Sequence, residues 1–208
     1  MTSTHGHVPR RPRRTDARLN QERLIATAQE VFAEAGPEAS LNEVARRAGV
    51  GPGTLYRHFP NRSALLTAVL RDRIETLCAL AGALSSSESA DDALAQWLRA
   101  FLVHARVNQG LGGALMVEEE PVALGLDCHR LILDAAADLL AQAQRRGTAR
   151  ADLTADDLVQ LVVGIALSTA RSHDAEQPDR LLTLVLDATY GTPRQRAVRE
   201  PLNGSVVA

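Results

Sequence analysis

Four neighbouring residues, Thr54, Tyr56, Arg57 and His58, bring a hydroxyl, a phenol, a guanidinium and an imidazole into one short stretch of the chain. All four groups donate hydrogen bonds, and arginine adds a permanent positive charge. Donors of this kind bind phosphate oxygens and the edges of bases, and the major groove of DNA is wide enough to admit one helix. The stretch therefore predicts a surface that contacts double-stranded DNA.

The first of two short helices that position these donors is predicted over residues 40–48. Apolar residues recur along it at i, i+3, i+4 and i+7, which places them on one face. Ser40 stands at the N-cap position and Glu43 follows three residues later, the pattern of a capping box that satisfies free backbone N–H groups. Gly49 can adopt the left-handed conformation that ends a helix. We therefore expect a capped helix followed directly by a turn.

The second short helix is predicted over residues 52–58. Pro52 suits its first turn, and Leu55 and Phe59 lie four residues apart, so that they point back towards the first helix. Two helices joined by so short a turn form a helix-turn-helix. The glycines on either side of Pro52 remove bulk and let the backbone approach a duplex. An ordinary helical corner with a solvated polar face is the alternative, but cap, turn and aromatic-basic face together favour DNA binding.

The same segment resembles the DNA-binding signature of the TetR family of bacterial transcriptional repressors. The resemblance lies in the runs Val-Ala-x-x-Ala-Gly-Val over residues 44–50 and Gly-Thr-Leu-Tyr-x-His-Phe over residues 53–59. The chain departs from the family pattern at Gly51, Pro52 and Arg62, where Ser, a polar residue and Lys are common. The residues predicted to contact DNA are Ser40, Arg47, Gly51, Gly53, Thr54, Tyr56, Arg57, His58, Asn61 and Arg62.

Composition favours a helical protein. The chain has 208 residues, of which 45% are hydrophobic and only 3% aromatic, while alanine and leucine abound. These values suit an aliphatic core between helices better than a sheet. We expect an all-α fold of about nine helices, with an N-terminal three-helix helix-turn-helix domain and a C-terminal helical ligand-binding and dimerisation domain. Because no apolar run is long enough to span a bilayer, we expect a cytoplasmic protein without membrane contact.

Charge is distributed unevenly along the chain. Residues 1–62 contain ten arginines and six acidic residues, a net charge of +4, whereas residues 63–208 contain thirteen and nineteen, a net charge of −6. A basic end of this kind attracts a polyanion such as DNA. A disordered basic tail, a helix-turn-helix domain, an effector-binding and dimerisation domain and a flexible C-terminal tail are predicted over residues 1–14, 15–62, 63–191 and 192–208.

An aromatic stripe runs along the predicted fifth helix, where Trp97, Phe101 and His104 align at i, i+4 and i+7. We expect this helix to end near Asn108, because three glycines then loosen the chain before a short sixth helix. Such a stripe most often belongs to a core, and the alternative is the wall of a small-molecule site for a largely apolar effector. The residues assigned to this effector site are Trp97, Phe101, His104, Met116, Cys128 and Leu131.

Metal, redox and catalytic chemistry are less favoured. Cys78 and Cys128 lie in apolar helical patterns without metal-ligand spacing, so we interpret them as buried thiols, with a redox pair as the weaker alternative. We expect no metal and no cofactor. A helical enzyme that uses Glu118, Glu119 or His104 is disfavoured, because the sequence shows no nucleophile paired with a base and no phosphate-binding loop.

The predicted eighth and ninth helices, over residues 152–173 and 178–190, are apolar around most of their circumference. One face of each needs a cover beyond a single small core, and a second copy of the chain is the simplest one. The resemblance to the TetR family implies the same pairing, and the lead-in at residues 150–158 is similar to SbtR-like members. We expect a homodimeric repressor released from its operator by a small molecule; a constitutive DNA-binding dimer is the alternative. The dimer interface is assigned to Leu161, Ile165, Ser168, Leu181, Val185 and Ala188.

Overall fold

Eight α-helices, and no strand, occur in the part of the chain that the computed structural model describes. Backbone is described for residues 14–86, 92–115 and 122–190, and side chains for residues 16–86, 92–108 and 128–190. The helices are α1 (Arg14–Ala35), α2 (Leu41–Arg47), α3 (Pro52–His58), α4 (Arg62–Ser85), α5 (Ala93–Leu115), α6 (Val122–Arg145), α7 (Ala155–Ser168) and α8 (Gln177–Tyr190). The predicted all-α class is confirmed. The predicted tails lie outside the described residues, except for Arg14, which is the first residue of α1.

The expected count of nine helices is wrong for the described ranges. The prediction ended the fifth helix near Asn108 and placed a short sixth helix after the glycines at positions 110, 112 and 113. In the structure, α5 continues through all three glycines to Leu115. A glycine inside a helix costs about 1 kcal/mol relative to alanine, which is not enough to end a long helix. The predicted eighth and ninth helices therefore correspond to α7 and α8.

Contacts divide the chain into two compact units, the first ending at Val69 and the second beginning at Leu70. The helix α4 runs across this boundary and contributes residues to both units. Within the first unit, α2 contacts α1 and α3. The domain boundary at residue 62 that we expect from the sequence is a functional one, and it stays a prediction.

The first unit has an aliphatic core with two phenylalanines. Gly36 and Gly49 have φ values of 79° and 69°, so glycine supplies the left-handed conformation that ends α1 and α2. The predicted end of α2 at Gly49 is therefore confirmed. Buried residues of this core are Leu24, Ala28, Val31, Phe32, Leu41, Val44, Ala45, Ala48, Leu55, Phe59, Leu65, Leu66 and Val69.

The second unit is built around α7, which contacts α5, α6 and α8. The helix α5 contributes several of its largest fully buried side chains, namely Trp97, Leu94, Leu98 and Leu102. The described helices of the chain include none that is both long enough and apolar enough to cross a membrane.

Candidate functional site

The helix α3 extends over Pro52–His58, the bounds that the sequence predicts. Pro52 occupies its first turn, where the missing N–H costs no helical hydrogen bond. Leu55 is fully buried and Phe59 is 3% exposed, so this side of the segment packs into the first unit. The remaining side of α3 faces solvent.

The outward side of α3 carries the predicted donors. Tyr56 is 47% exposed and Arg57 is exposed, whereas Thr54 and His58 are half-buried. The ring centroid of His58 lies 6.3 Å from that of Phe59, which holds the imidazole beside the core. Two exposed donors and two partly sheltered ones therefore share a solvent-facing surface without large apolar side chains.

Glu43 does not form the expected capping box, and that prediction is wrong. Ser40 is the N-cap of α2, but its side chain makes no capping hydrogen bond. The Glu43 carboxylate instead accepts bonds from Arg46 Nε and Nη2 at 2.8 and 2.7 Å, and from Arg47 Nε at 2.7 Å. Charge-assisted bonds to a guanidinium are stronger than a bond to a neutral backbone N–H. Hydrogen bonds from Arg46 and Arg47 lower the pKa of Glu43 to about 2.

Arg47, which we expect to contact DNA, is held between two carboxylates. Its Nη1 lies 2.7 Å from Glu34 Oε2 on α1, while its Nε bonds Glu43 on α2. These bonds raise the pKa of Arg47. The side chain therefore links α1 to α2, and its contact with DNA stays a prediction.

Asn61 and Arg62, which we expect to contact DNA, lie at the start of α4. Asn61 Oδ1 accepts a hydrogen bond from the Ala64 backbone N–H at 2.8 Å, so Asn61 caps the helix. The half-buried Arg62 donates from Nη1 to the carbonyl oxygens of Pro37 and Ala39, at 2.5 and 2.8 Å. Arg62 therefore fastens the turn between α1 and α2, a role that the sequence did not indicate.

The aromatic stripe of α5 belongs largely to the core of the second unit. Trp97 is fully buried and Phe101 is 2% exposed, and their ring centroids are 5.4 Å apart with an interplanar angle of 19°. Trp97 Nε1 donates to the Leu77 carbonyl oxygen at 3.0 Å, which satisfies the indole. The core interpretation is confirmed for these two side chains, while a contact with an effector stays a prediction.

His104 ends this stripe in a small polar cluster that the sequence analysis missed. Asn108 Nδ2 lies 3.1 Å from the ring nitrogens of His104, and Asn108 Oδ1 accepts from Arg73 Nη1 at 2.6 Å. Burial, and then the charge of Arg73, lowers the pKa of His104 to about 4, so the imidazole is neutral at pH 7. The i, i+4 spacing of His104 and Asn108 was the available signal.

The two cysteines differ in their surroundings. Cys128 is 7% exposed, which confirms a buried thiol, whereas Cys78 is half-buried and donates to the Leu131 carbonyl oxygen at 3.5 Å. Burial raises the pKa of the Cys78 thiol and so lowers its reactivity. The side chain of Leu131 is 38% exposed.

Among the described side chains, no group of three or more His, Cys, Asp or Glu could hold a metal ion. Residues of the sequence analysis outside the described ranges are Met116, Glu118 and Glu119.

The outer faces of α7 and α8 carry most of the residues assigned to a dimer interface. Leu161 is 48% exposed, Ser168 and Ala188 are exposed, and Leu181 and Val185 are half-buried. Ile165, the sixth assigned residue, is 8% exposed and packs in the core of its own unit. Its position follows from the inward face of α7, which also carries Leu158, Val162 and Ala166.

Two further leucines on these helices were not among the residues assigned to the dimer interface. Leu167 on α7 is 62% exposed and Leu184 on α8 is 65% exposed. Leu167 is adjacent to the assigned Ser168, and Leu184 lies three residues after the assigned Leu181. A helical-wheel projection of each helix would therefore have placed both leucines near the assigned residues. The outer faces of α7 and α8 therefore form an exposed apolar surface.

Comparison with known proteins gives consistent matches over most of the chain. Residues 24–69 match the sequence profile described as bacterial regulatory proteins, tetR family, and residues 89–188 match the transcriptional regulator SbtR-like C-terminal domain. A TetR transcriptional regulator from Streptomyces coelicolor is 35% identical, with a TM-score of 0.71 over 83% of this chain and 99% of that chain. A TetR transcription regulatory protein from Mycobacterium vanbaalenii is 32% identical, with a TM-score of 0.71 over 86% and 100%.

The curated relatives match a short segment of the chain. An HTH-type transcriptional regulator of Staphylococcus aureus (strain USA300) is 42% identical over 59 residues, which are 28% of this chain and 32% of that protein. The shared segment is therefore about as long as a helix-turn-helix domain, and it leaves most of each relative unmatched.

Proposed function

This chain belongs to the TetR family of bacterial transcriptional regulators, and we propose that it acts as a homodimeric repressor released from its operator by a small-molecule effector. It is a transcriptional regulator with a helix-turn-helix DNA-binding domain. One observation carries the proposal: α3 and its C-cap bury Leu55 and Phe59, and the donor-bearing face of the helix stays in solvent. A helix exposed in this way can enter a major groove.

The proposed DNA contacts divide into two kinds. Tyr56 and His58 offer donors from opposite flanks of α3, where they suit phosphate oxygens on the groove walls. Ser40 is exposed and its hydroxyl makes no capping bond, so it is available to a phosphate at the start of α2. Such contacts fix the register of the protein on the duplex without reading its sequence.

A homodimer is supported by the apolar surface on α7 and α8. Leu161, Leu167 and Leu184 are between 48% and 65% exposed in the single chain. Contiguous exposed apolar side chains of this size mark an interaction surface in most soluble proteins. A second copy related by a two-fold axis would cover the same residues on both chains.

Pairing of two chains gives the regulator a palindromic target. A dimer presents two copies of α3, and helix-turn-helix dimers bind two half-sites about one helical turn apart. An effector that favours a different separation of the two helices weakens operator binding. Thermodynamic linkage then requires that the operator weakens effector binding by the same factor.

The effector site is proposed in the second unit, at the polar end of the aromatic stripe. Phe101 stacks on His104 at 6.3 Å, and the neutral imidazole connects through Asn108 to the half-buried Arg73. Apolar walls with a few oriented polar groups are typical of small-molecule sites. We expect a largely apolar effector, and we place the regulator in the cytoplasm with its DNA.

A constitutive DNA-binding dimer without an effector is the second candidate. It needs the same α3 face and the same α7 and α8 surface, so only a titration with small molecules separates the two. The helical-enzyme alternative has no comparable support, because the related families and structures are those of transcriptional regulators.

The decisive experiment is a gel-shift assay with duplexes that flank the coding gene. Wild-type protein should retard a specific fragment, and a Tyr56→Ala, His58→Ala double variant should lose that retardation while keeping its melting temperature. Leu19→Ala is the matched control, because Leu19 is 48% exposed on α1 and outside the proposed contacts. Titration of the complex with a metabolite panel should release the fragment with at least one compound.

Three results decide between the candidates. Retardation that no compound reverses supports the constitutive dimer. Retardation by the double variant that equals the wild type contradicts the assignment of α3 as the DNA-reading helix. No specific binding to any duplex, including genomic fragments, contradicts the proposed function as a whole.

A further inference from the structure

The arginines around α2 and α3 are not equally available to a ligand. Arg46 donates two hydrogen bonds to Glu43, and Arg47 bridges Glu43 and Glu34. Arg62 is half-buried and donates to two backbone carbonyl oxygens. Each of these three guanidinium groups is therefore already engaged within the protein.

Arg57 differs from these three in both exposure and contacts. Its side chain is exposed, and within residues 16–86 the structure records no ion pair or hydrogen bond of its guanidinium. At about 100° per helical residue, Arg57 lies roughly 200° around α3 from the fully buried Leu55. Arg57 therefore stands at the centre of the outward face, with Tyr56 and Thr54 on its two flanks.

The first two residues of α3 offer no side-chain donor. They are Pro52 and Gly53, and Gly51 precedes them as the N-cap. A Cβ at Gly51 or Gly53 would meet nothing within 4 Å, and neither residue has a positive φ. The fold itself therefore does not require glycine at either position, and the bare surface is open to an approaching partner.

The bare start of α3 changes how this helix can read DNA. In helix-turn-helix proteins, residues near the N-terminus of the recognition helix commonly contact the base edges. Here the first two positions carry no side-chain donor, so side chains that read bases must come from later in the helix. Gly53 lies four residues before Arg57 on the same face, and its missing side chain lets the backbone come close to the groove floor.

We propose that Arg57 determines base specificity by reading one guanine in each half-site through two parallel hydrogen bonds to guanine O6 and N7. The guanidinium fork matches these two acceptors, and this pairing is the commonest specific contact in the major groove. The other donors of α3 position the helix on phosphates. The inference rests on the proposed DNA-binding function and adds the base that the operator contains.

Selection from a random-sequence duplex library tests this assignment with the full-length protein. Wild-type protein should enrich a two-fold-related motif with guanine at one fixed position of each half-site. The variant Arg57→Lys keeps the charge but loses the fork. Its preference for guanine at that position should fall by about 10- to 100-fold, while preferences at the other positions remain.

Matched controls separate base reading from charge and from folding. Arg23→Lys makes the same change at an exposed arginine on α1 and should leave the selected motif unchanged. The salt dependence of binding and the melting temperature of Arg57→Lys should equal those of the wild type, because the number of cationic groups is the same. A purely structural Arg57 would shift the melting temperature and leave the guanine preference in place.

The close approach of DNA to the start of α3 has a separate test in Gly53→Ala. Alanine has the higher helix propensity and meets no neighbouring atom, so the melting temperature should not fall. Affinity for the selected duplex should fall several-fold, because the added methyl group occupies space that the DNA needs. Gly82→Ala is the control, since Gly82 is exposed in α4 with open space around it and should leave affinity unchanged.

The outcomes distinguish this inference from the function on which it rests. If wild-type protein enriches no motif, the proposed DNA-binding function fails and the inference fails with it. If a motif is enriched without a fixed guanine, or if Arg57→Lys selects guanine as strongly as the wild type, Arg57 is not the reader. In those two cases the proposed function stands. An unchanged affinity of Gly53→Ala contradicts the close approach at the first turn.

Discussion

Two exposed faces of this chain are built in the same way but carry opposite chemistry. On α3, the buried Leu55 anchors the helix and the outward side offers Tyr56 and Arg57. On α7, buried residues such as Val162 anchor the helix and the outward side offers Leu161 and Leu167. The buried residues anchor both helices in the same way, so the outward side chains differ because each face suits a different kind of binding surface.

The two faces differ in the free-energy cost of leaving them exposed to water. Polar side chains on α3 lose little by being solvated, so this face is stable alone and binds a hydrated polyanion when one is present. The leucines on α7 and on α8 remain unfavourably exposed until another apolar surface covers them. In the proposed dimer, the apolar face is therefore covered permanently, whereas the polar face binds DNA reversibly.

The largest expected effect is the loss of the apolar pairing. Leu167→Glu places a carboxylate in the proposed interface, where an unpaired buried charge costs several kcal/mol. The variant should sediment as a monomer at micromolar concentration, and its operator affinity should fall by about 100-fold or more because the two half-sites are no longer linked. Analytical ultracentrifugation and the gel shift measure the two effects.

Val103→Glu is the control for this change. Val103 is 60% exposed on α5, close to the 62% of Leu167, but it lies outside α7 and α8. It should leave both sedimentation and operator affinity unaltered. A dimeric Leu167→Glu protein would show that the apolar face of α7 is not the interface.

The second effect concerns the anchor of the polar face. Leu55→Ala removes a fully buried side chain and should lower the stability of the first unit by about 2 to 5 kcal/mol. Operator binding should fall with it, although Leu55 cannot touch DNA. Hydrogen exchange of the amides in α1 to α3 measures this loss. Tyr56→Ala, one residue away but exposed, should change exchange by less than about 0.5 kcal/mol; equal effects would contradict the division into anchor and face.

Acid should destabilise the two units over different pH ranges. Between pH 6.5 and about 4 the unfolded chain binds a proton at His104 that the folded chain does not, so stability of the second unit falls as the pH falls. The expected loss is on the order of 2 kcal/mol. Trp97, the one tryptophan of the sequence, lies in this unit and reports its unfolding by fluorescence.

The first unit should respond in a lower window. The pKa of Glu43 is lowered from 4.5 to about 2 by Arg46 and Arg47, so its stabilising effect is present above pH 4.5 and is lost between pH 4.5 and 2. His104→Gln should flatten the dependence of Trp97 fluorescence above pH 4.5, and Glu43→Gln should not. The same slope in His104→Gln as in the wild type would assign the acid effect to another group.

Local chemistry decided how far the sequence could predict these regions. The bounds of α3 were predictable because Pro52 fixes the start and a proline follows Phe59 at the end. The capping box was not, because Arg46 and Arg47 compete for the Glu43 carboxylate and sequence spacing does not rank competing partners. Outward residues were harder still, since Leu167 was left out of the assigned interface and Ile165 was included although it is buried in the single chain.

The smallest effects are expected at the N-cap residues Ser40 and Thr154. Serine is usually the better N-cap of the two, but here we expect only the threonine to stabilise its helix. Thr154 Oγ1 accepts from the Asp157 N–H at 3.2 Å while the Asp157 carboxylate accepts from the Thr154 N–H at 2.9 Å, so Thr154→Ala should cost about 1 kcal/mol in thermal unfolding. Ser40 makes no such bond, and Ser40→Ala should be nearly neutral. If the Ser40 hydroxyl donates a hydrogen bond to a phosphate, Ser40→Ala should instead lower operator affinity, whereas Thr154→Ala should leave operator affinity unchanged. If Ser40→Ala lowers stability as much as Thr154→Ala does, Ser40 acts as an ordinary capping residue and the prediction is wrong.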